Sequence, residues 1–530
     1  MAAIVLSTLN AKWIHASFGL RCLRANLGAL RDECVLVEGV IVERPLDVAE
    51  RILAHAPRIV GIGVYVWNAL ESEQLVAALK RIAPEVVVVL GGPEVSHETE
   101  EQRIAELADY VVRGEGELAF AQLCERLLAE DRPGERPRER ILDGGLPELA
   151  SLASPYPEYD ARDVAHRIVY VEASRGCPYE CEFCLSALDT KVRAFPLASF
   201  LAEMEQLLER GVTHFKFVDR TFNLSIPTSA AILEFFLERA RPGMLLHFEL
   251  IPDRLPDALR NLLARFPAGM VQLEVGIQSF DEATTKRISR RQDNAKAEAN
   301  LRWLRDSTGV HLHTDLIVGL PGEDLASFAR GFDRLLALAP HEIQVGILKR
   351  LRGAPLARHD AEFAMRYAAH PPYEVLSTSV LSFADLQRLR RFARVWDLVG
   401  NSGNFSASAP LLWESASAFE RVLGFSEALF ARCGAVHSIG LERLARELFE
   451  HLLTLGVDRA RAGAALFADF QRTRPDQWPV FLVEFSGGAP RRKRAKELHK
   501  AAVRQERRRS TGGGDSPPRA RVHDVQPPSS

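Results

Sequence analysis

Cys177, Cys181 and Cys184 stand within eight positions of one another, in Ser174-Arg175-Gly176-Cys177-Pro178-Tyr179-Glu180-Cys181-Glu182-Phe183-Cys184. The stretch follows the apolar run Ile168 to Ala173 directly. Three thiols at this spacing, on a loop opened by Gly176 and Pro178, point to a metal site rather than to packing. A cubane iron–sulfur cluster takes four ligands, usually thiolates. Three would leave one iron open, and an open position is what separates a catalytic metal from a structural one. Zinc is the alternative, but its ligands usually come as two close pairs. No second pair follows here, and the nearest imidazoles, His166 and His214, lack ligand spacing to the loop. Cys22, Cys34, Cys124 and Cys433 stand singly in apolar or helical settings and read as small buried hydrophobes.

Something must hold that loop, and the pattern around it repeats strand and helix. Ile168 to Ala173, Phe215 to Val218, Leu246 to Ile251, Val271 to Ile277, His311 to Val318 and Glu342 to Leu348 read as strands. Helix-spaced segments lie between them, at Leu197 to Arg210, Ser229 to Arg239, Asp257 to Arg265, Ala295 to Asp306 and Leu325 to Ala339. Right-handed crossovers would curl six such units into a partial (β/α)6 barrel. In such barrels chemistry sits at the carboxyl ends of the strands, which is where the cysteine loop falls. His313 and Asp315 alternate on one strand and so share a face.

The first 130 residues alternate in the same way, with Ala3 to Leu9, Val35 to Val42, Ile59 to Val66 and Val86 to Leu90 as strands. Helix patterns run over Phe18 to Leu30, Pro45 to His55, Glu71 to Ile82 and Leu118 to Leu128. Continuous β-branched runs predict a doubly wound parallel sheet, an α/β Rossmann-like unit. Gly91-Gly92-Pro93-Glu94 and Arg113-Gly114-Glu115-Gly116-Glu117 sit at strand ends, where glycine lets a backbone approach a ligand or makes an ordinary turn. Asp131 to Arg138 is charged and Pro/Gly-rich, a candidate boundary. From about Ala361 the pattern turns helical, with Leu441, Leu444, Leu448 and Leu452 at three- and four-residue steps. The organisation expected is 1–130, a linker over 131–160, a barrel over 161–356, a helical domain over 357–486 and a tail over 487–530.

Composition sets the outer limits. The 530 residues are 47% hydrophobic and 26% charged, as in ordinary globular proteins. No apolar run reaches the roughly 18–20 residues of a membrane span. The start, MAAIVLSTLNAKW, has no basic region ahead of its apolar run and reads as a strand rather than a signal peptide. Seven cysteines, an odd number and mostly scattered, make no disulfide framework, which fits a reducing cytoplasm. The formal charge of −3 hides an asymmetry: from Gly487 to Ser530 there are 12 Lys/Arg against 4 Asp/Glu. That tail reads as a solvated disordered segment. Its alternative is an RNA- or anion-binding arm through Arg491 to Arg494 and Arg507 to Arg509, without aromatics for base stacking.

Cys177-x-x-x-Cys181-x-Phe183-Cys184 behind Ser174-Arg175-Gly176 resembles the radical S-adenosylmethionine superfamily. The resemblance implies a [4Fe–4S] cluster on Cys177, Cys181 and Cys184. S-Adenosylmethionine would take the open iron, and reductive cleavage would give a 5′-deoxyadenosyl radical. It places Phe183 beside the adenine, Asp219 and Arg220 near the amino and carboxylate groups, and Glu249 at the ribose. Gln278 and Ser279 would face ribose or carboxylate, and Gly319, in Gly319-Leu320-Pro321-Gly322-Glu323, would border the adenine. From the residues alone, Asp219 and Arg220 have a minority alternative as an exposed turn or a structural ion pair, and Glu249 reads equally as a satisfied core carboxylate. The N-terminal region resembles the cobalamin-binding domains found ahead of many radical enzymes, with Gly91, Gly92, Gly114 and Gly116 as the cofactor-binding glycines. Where many such domains carry Asp-x-His-x-x-Gly, this chain has Trp13-Ile14-His15-Ala16-Ser17-Phe18-Gly19. His15 is therefore not expected to ligate cobalt, and the domain would either hold cobalamin without a protein His ligand or have lost the cofactor.

The C-terminal part resembles an uncharacterised extension of a subgroup of these enzymes. The resemblance implies an enzyme with a flavodoxin- or ferredoxin-like electron donor, performing methyl transfer or rearrangement on an unknown substrate. Lys349, Arg350 and Arg352 would meet an anionic substrate or corrin side chains, or form a solvated rim. A rival reading is a metal-bearing binding or sensing protein, RNA-associated through its tail. Methylthiolation would need a second cysteine set, and Cys22, Cys34 and Cys124 lie too far apart to supply it.

Overall fold

Two six-stranded parallel sheets, one behind the other in sequence, carry everything the site needs. The computed structural model describes residues 2–129, 139–414, 416–475 and 477–488. The Asp131 to Arg138 boundary stretch and the basic tail lie outside the described residues.

The first sheet holds β1 (Ile4–Asn10), β2 (Cys34–Val40), β3 (Ile59–Gly63), β4 (Val87–Gly91), β5 (Tyr110–Arg113) and β6 (Ile141–Asp143), in the order β2-β1-β3-β4-β5-β6. Helices cover both faces. Val48, Ile52, Leu75 and Leu79 pack on one side, and Leu20, Phe120 and Leu127 on the other. This is why β1, β3 and β4 are apolar without alternation. The order reverses between β1 and β3, and such switch points are where open sheets of this kind bind ligands. The strands β5 and β6 are too short for a sequence period to reveal. Ile141–Asp143 falls in the stretch read as linker, yet it pairs with β5 as the sheet's sixth strand.

The second sheet holds β7 (Val169–Val171), β8 (His214–Phe217), β9 (Leu245–Leu250), β10 (Val271–Gln278), β11 (His311–Val318) and β12 (Glu342–Ile347). They lie in strict sequence order and all pair in parallel, as six βα units require. One edge is occupied by the N-terminal domain, where Ile168 donates to the Ile14 carbonyl at 3.0 Å. The other edge is capped by the C-terminal region: Asn401 both accepts from and donates to the Ile343 backbone, and the Trp396 indole donates to the Ile343 carbonyl at 2.9 Å.

Behind that edge the helices Phe383–Trp396, Ala418–Cys433, Leu441–Thr454 and Arg459–Thr473 share one apolar core with the barrel. Phe332 stacks edge-on with both Phe392 and Trp396. Trp396, Phe419, Phe425 and Phe449 are thus core, whereas Phe430 is exposed. Among the described residues no helix is long and apolar enough to cross a membrane.

Charged contacts fix the first sheet to the second. Arg21, buried, reaches Glu38 at 2.8 Å and Asp163 at 2.6 Å, and Arg24 and Arg31 share Glu158.

Candidate functional site

The cysteine loop leaves the end of β7 through a short ribbon in which Ser174–Arg175 pairs antiparallel with Arg193–Ala194. Gly176 has φ +86°, and a Cβ there would lie 2.5 Å from the Lys191 carbonyl, so only glycine makes this turn. The Cys177 amide then donates to the Asp189 carbonyl at 2.9 Å. Inside the loop the buried Glu182 acts as a peg. Its carboxylate accepts from Ser289 at 2.5 Å, meets His359 at 2.7 Å and pairs with Arg358, while its amide donates to the Ile288 carbonyl. The loop is therefore pinned to the turn after β10 and to the segment after β12.

Cys177, Cys181, Phe183 and Cys184 line one cavity of about 130 Å³ with Arg220, Thr221, Glu249, Glu274, Gln278, Arg290 and Asp315. Cys177 Sγ lies 3.6 Å from Thr221 Oγ1, and Arg290 reaches Cys181 Sγ at 3.7 Å and the Gly276 carbonyl. Burial pushes the Cys181 thiol up, with Arg290 opposing it. Soft thiols on one wall and a cationic donor behind them suit an iron–sulfur cluster, and carboxylates and guanidinium groups across the cavity suit a zwitterionic cofactor.

Below the cavity the inner faces of the barrel strands are polar in successive rows. Tyr170, Lys216, His247, Gln272 and His311 stand in register. Glu249, Glu274, His313 and Glu342 form the next row, then Gly276, Asp315 and Gln344. Small barrels usually fill this space with branched aliphatics. Here Glu274 meets His247 at 2.8 Å and Lys216 at 3.8 Å, His313 meets Asp315 at 3.1 Å, and His311 meets Glu342 at 3.0 Å. Burial alone would raise Glu274, but Lys216 and His247 hold it well below the usual carboxylate range. Burial alone would lower His313, but Asp315, Glu274 and Glu342 outweigh it and carry it to about 9. Glu249, pushed up by burial and then by Glu274, reaches about 7.

A second cavity, of about 260 Å³, opens at the carboxyl ends of β3, β4 and β5 beside the switch point. Gly61, Gly63, Gly91, Gly92, Gly114 and Gly116 line it with Phe18, Tyr65 and Phe120. Gly92 has φ +104°, and a Cβ there would meet the Val64 carbonyl at 2.5 Å. Gly114 has φ +73°. Glycine at these positions removes the side chains that would fill the cavity, a cradle that suits a broad flat ligand. Its remaining wall comes from the barrel side, Glu172 and Arg175.

The sequence-derived site residues divide by position. Phe183, Arg220, Glu249 and Gln278 share the cysteine cavity, and Gly91, Gly92, Gly114 and Gly116 share the second. Asp219 lies at the ribbon instead: it accepts from Ser174 Oγ at 2.6 Å and the Ala173 amide at 2.9 Å, and burial raises it to about 6. Ser279 donates to Glu323 at 2.5 Å. Gly319, with φ +89°, lets Val375 pack against the turn. His15 meets the Tyr170 hydroxyl at 2.6 Å. Arg350 and Arg352 are engaged by Glu98 and Glu94 on the loop after β4, and Tyr373 donates to Glu94 at 2.8 Å. They clamp the two domains.

Sequence reading missed Lys216, His247, Glu274 and Glu342. The signal was there, as polar residues at every second position of strands otherwise apolar. Glu182, Arg290 and Thr221 act through tertiary contacts that no local pattern reports.

Three segments of the chain match known families. Residues 171–335 match the radical SAM superfamily, residues 5–124 the B12 binding domain, and residues 361–460 a protein region of unknown function, DUF4080. The chain thus carries a radical SAM domain. More particularly, it combines that domain with a B12-binding domain in front and a DUF4080 region behind.

The chain is 27% identical over 334 residues to 2-(S-pantetheinyl)-carbapenam-3-carboxylate methyltransferase of Streptantibioticus cattleyicolor, covering 57% of this chain and 48% of that one. It is 28% identical over 331 residues to the cobalamin-dependent radical SAM methyltransferase TokK of Streptomyces tokunonensis, with the same coverage of 57% and 48%. It spans about half the length of these curated relatives. The structure of TsrM from Kitasatospora setae with cobalamin and a [4Fe–4S] cluster bound superposes with a TM-score of 0.54 at 20% identity, covering 70% of this chain and 78% of that one. That likeness bears on the fold.

Proposed function

We propose that this protein is a cobalamin-type radical S-adenosylmethionine enzyme, and that its reaction is methyl transfer to an unidentified substrate. One observation carries the reading: the cavity holding all three cysteines and the glycine-lined cavity flank a single segment, β7 and its ribbon. Cys177, Cys181 and Cys184 would hold the cluster, and the cradle of Gly91, Gly92, Gly114 and Gly116 would hold cobalamin. Bound there, the cluster would supply the electron for cleaving S-adenosylmethionine and the cobalamin a methyl group.

The protein's own work is placement. Arg220 and Gln278 offer donors to a carboxylate or ribose, and Glu249 and Asp315 offer acceptors from the floor. Phe183 gives the cavity an apolar surface for a base. The Arg290 guanidinium beside Cys181 would neutralise thiolate charge. Methyl transfer is preferred to rearrangement because TokK and the carbapenam enzyme, both named as methyltransferases, each match 57% of this chain. A flavodoxin- or ferredoxin-like donor in the cytoplasm would supply the electrons.

Incubating the purified chain with hydroxocobalamin, then removing free cofactor, tests the second cavity by absorbance. About one bound equivalent per chain is expected. A spectrum without corrin bands would leave a radical enzyme without cobalamin. The cysteine cavity is tested separately: Cys177→Ala, Cys181→Ala and Cys184→Ala should each abolish the cluster spectrum. Full cluster loading in all three variants would overturn the assignment.

A further inference from the structure

The Gly114-Glu115-Gly116-Glu117 turn does more than shape a cavity. Glu115 and Glu117 point at the ribbon that carries the first cysteine, two residues ahead of Cys177. Arg175 Nη1 meets Glu115 at 2.8 Å, Nη2 meets Glu117 at 2.7 Å, and Nε meets Glu172 at 2.9 Å. Three edges of one guanidinium are thus spent on three carboxylates, two from the first sheet and one from the barrel. Glu115 also pairs with Arg193, the residue opposite Arg175 in the ribbon. Arg193 in turn meets Asp189 at 3.3 Å, and the Asp189 carbonyl accepts the Cys177 amide. So Glu115 grips both arms of the ribbon and reaches Cys177 by two routes.

The same residues form the cavity wall: Glu115, Glu117, Glu172 and Arg175 all line the glycine-rimmed space. The Glu115 backbone is fixed from behind, since a Cβ on Gly144 would lie 2.1 Å from its carbonyl oxygen. Movement at this wall therefore falls on the side chains. Burial alone would lower Arg175, but Glu172 and Glu117 raise it, and the group stays charged. An occupant of the cavity would displace water from these part-buried pairs and strengthen them, since charge pairs gain as the local dielectric falls.

We propose that Arg175 is a positioning residue that couples the two sites: a corrin-sized ligand in the glycine cavity tightens the ribbon and so the grip on the cluster. This rests on the two-cofactor reading given above. Coupling of binding free energies is reciprocal, so a loaded cluster raises cavity affinity by the same factor. The guanidinium fork matters, because a lysine ammonium offers one point charge and cannot hold three carboxylates in a plane.

The test uses the full chain, reconstituted anaerobically, with hydroxocobalamin as the probe. The rate at which an iron chelator strips the cluster is followed with and without the probe, and hydroxocobalamin uptake is measured by absorbance on the same samples. In the unaltered chain the probe should slow cluster loss roughly fivefold, within the usual range of coupling between sites. Arg175→Met should bind the probe more weakly and, at probe concentrations that still bring it to one equivalent, should lose the protection; Arg175→Lys should regain part of it. If Arg175→Met fails to load a cluster, Glu115→Gln takes its place, and its protection should be reduced. Equal protection in the unaltered chain and the working variant, or none in the unaltered chain although both groups are bound, overturns the coupling alone. A chain that takes up no hydroxocobalamin overturns the two-cofactor reading and the coupling with it.

Discussion

The two parallel sheets have the same strand number and opposite interiors. In the first, β1, β3 and β4 are buried between helices, β3 and β4 wholly apolar, and ligand space begins only where β3 and β4 end in glycine. In the second, the helix-facing side is apolar, with Phe215, Phe217, Phe248 and Leu273, while the inner side carries Lys216, His247, Glu249, Glu274, His313 and Asp315. A doubly wound sheet separates stability from binding along the strand. The barrel separates them across it, so adjacent residues on one strand do different work.

That contrast can be broken at its charged side first. Glu274→Leu removes the partner of both Lys216 and His247 and leaves a buried ammonium facing an apolar group. A loss of ~3–5 kcal/mol is expected, as for other broken buried pairs, read from denaturant unfolding of the barrel. A change below 1 kcal/mol would mean that water already reaches these groups. On the other side, Gly92→Ala sets a Cβ against the Val64 carbonyl and strains a left-handed residue. Strain of ~1–3 kcal/mol should appear as roughly tenfold weaker hydroxocobalamin uptake, with cluster loading in the barrel retained. Unchanged uptake would remove the glycine cradle from the account.

A third test is of pH dependence, read in the barrel. His313 has a folded value of about 9 against an ordinary 6.5, so the native state holds its proton longer than the unfolded chain. Its contribution is complete below pH 6.5 and is lost as pH rises through 9. Glu249, at about 7 against 4.5, gives the same sign in a lower window, complete below 4.5 and lost through 7. The barrel's thermal midpoint should therefore fall as pH rises from 6.5 to 9, and His313→Gln should flatten that slope. An unchanged slope in the variant would place the titrating group elsewhere.

Much of the barrel was legible in the sequence because each of its strands is separated from the next by an amphipathic helix. The cysteine loop was legible because three thiols at that spacing have few other uses. The strands Tyr110–Arg113 and Ile141–Asp143 were not, since three or four residues carry no period. Asp219, Ser279 and Gly319 sit at the expected strand ends, but sequence could not tell which of their groups are spent on the backbone, a neighbouring carboxyl or a close approach. Arg350 and Arg352 looked like a free basic rim because their partners, Glu94 and Glu98, lie some 250 residues away. Lys216, His247, Glu274 and Glu342 escaped for another reason. A charged residue between apolar neighbours reads as solvent-facing unless the curvature of the sheet is known.

The central claim is that the Cys177–Cys184 loop and the glycine cavity each carry a cofactor in one working enzyme. Anaerobic reconstitution with iron, sulfide and hydroxocobalamin, followed by reduction in the presence of S-adenosylmethionine, tests it most directly. The account predicts one four-iron cluster and one cobalamin per chain, with 5′-deoxyadenosine formed by the unaltered chain and none by Cys177→Ala. Less than one cluster per chain, or 5′-deoxyadenosine from Cys177→Ala at the rate of the unaltered chain, would contradict it.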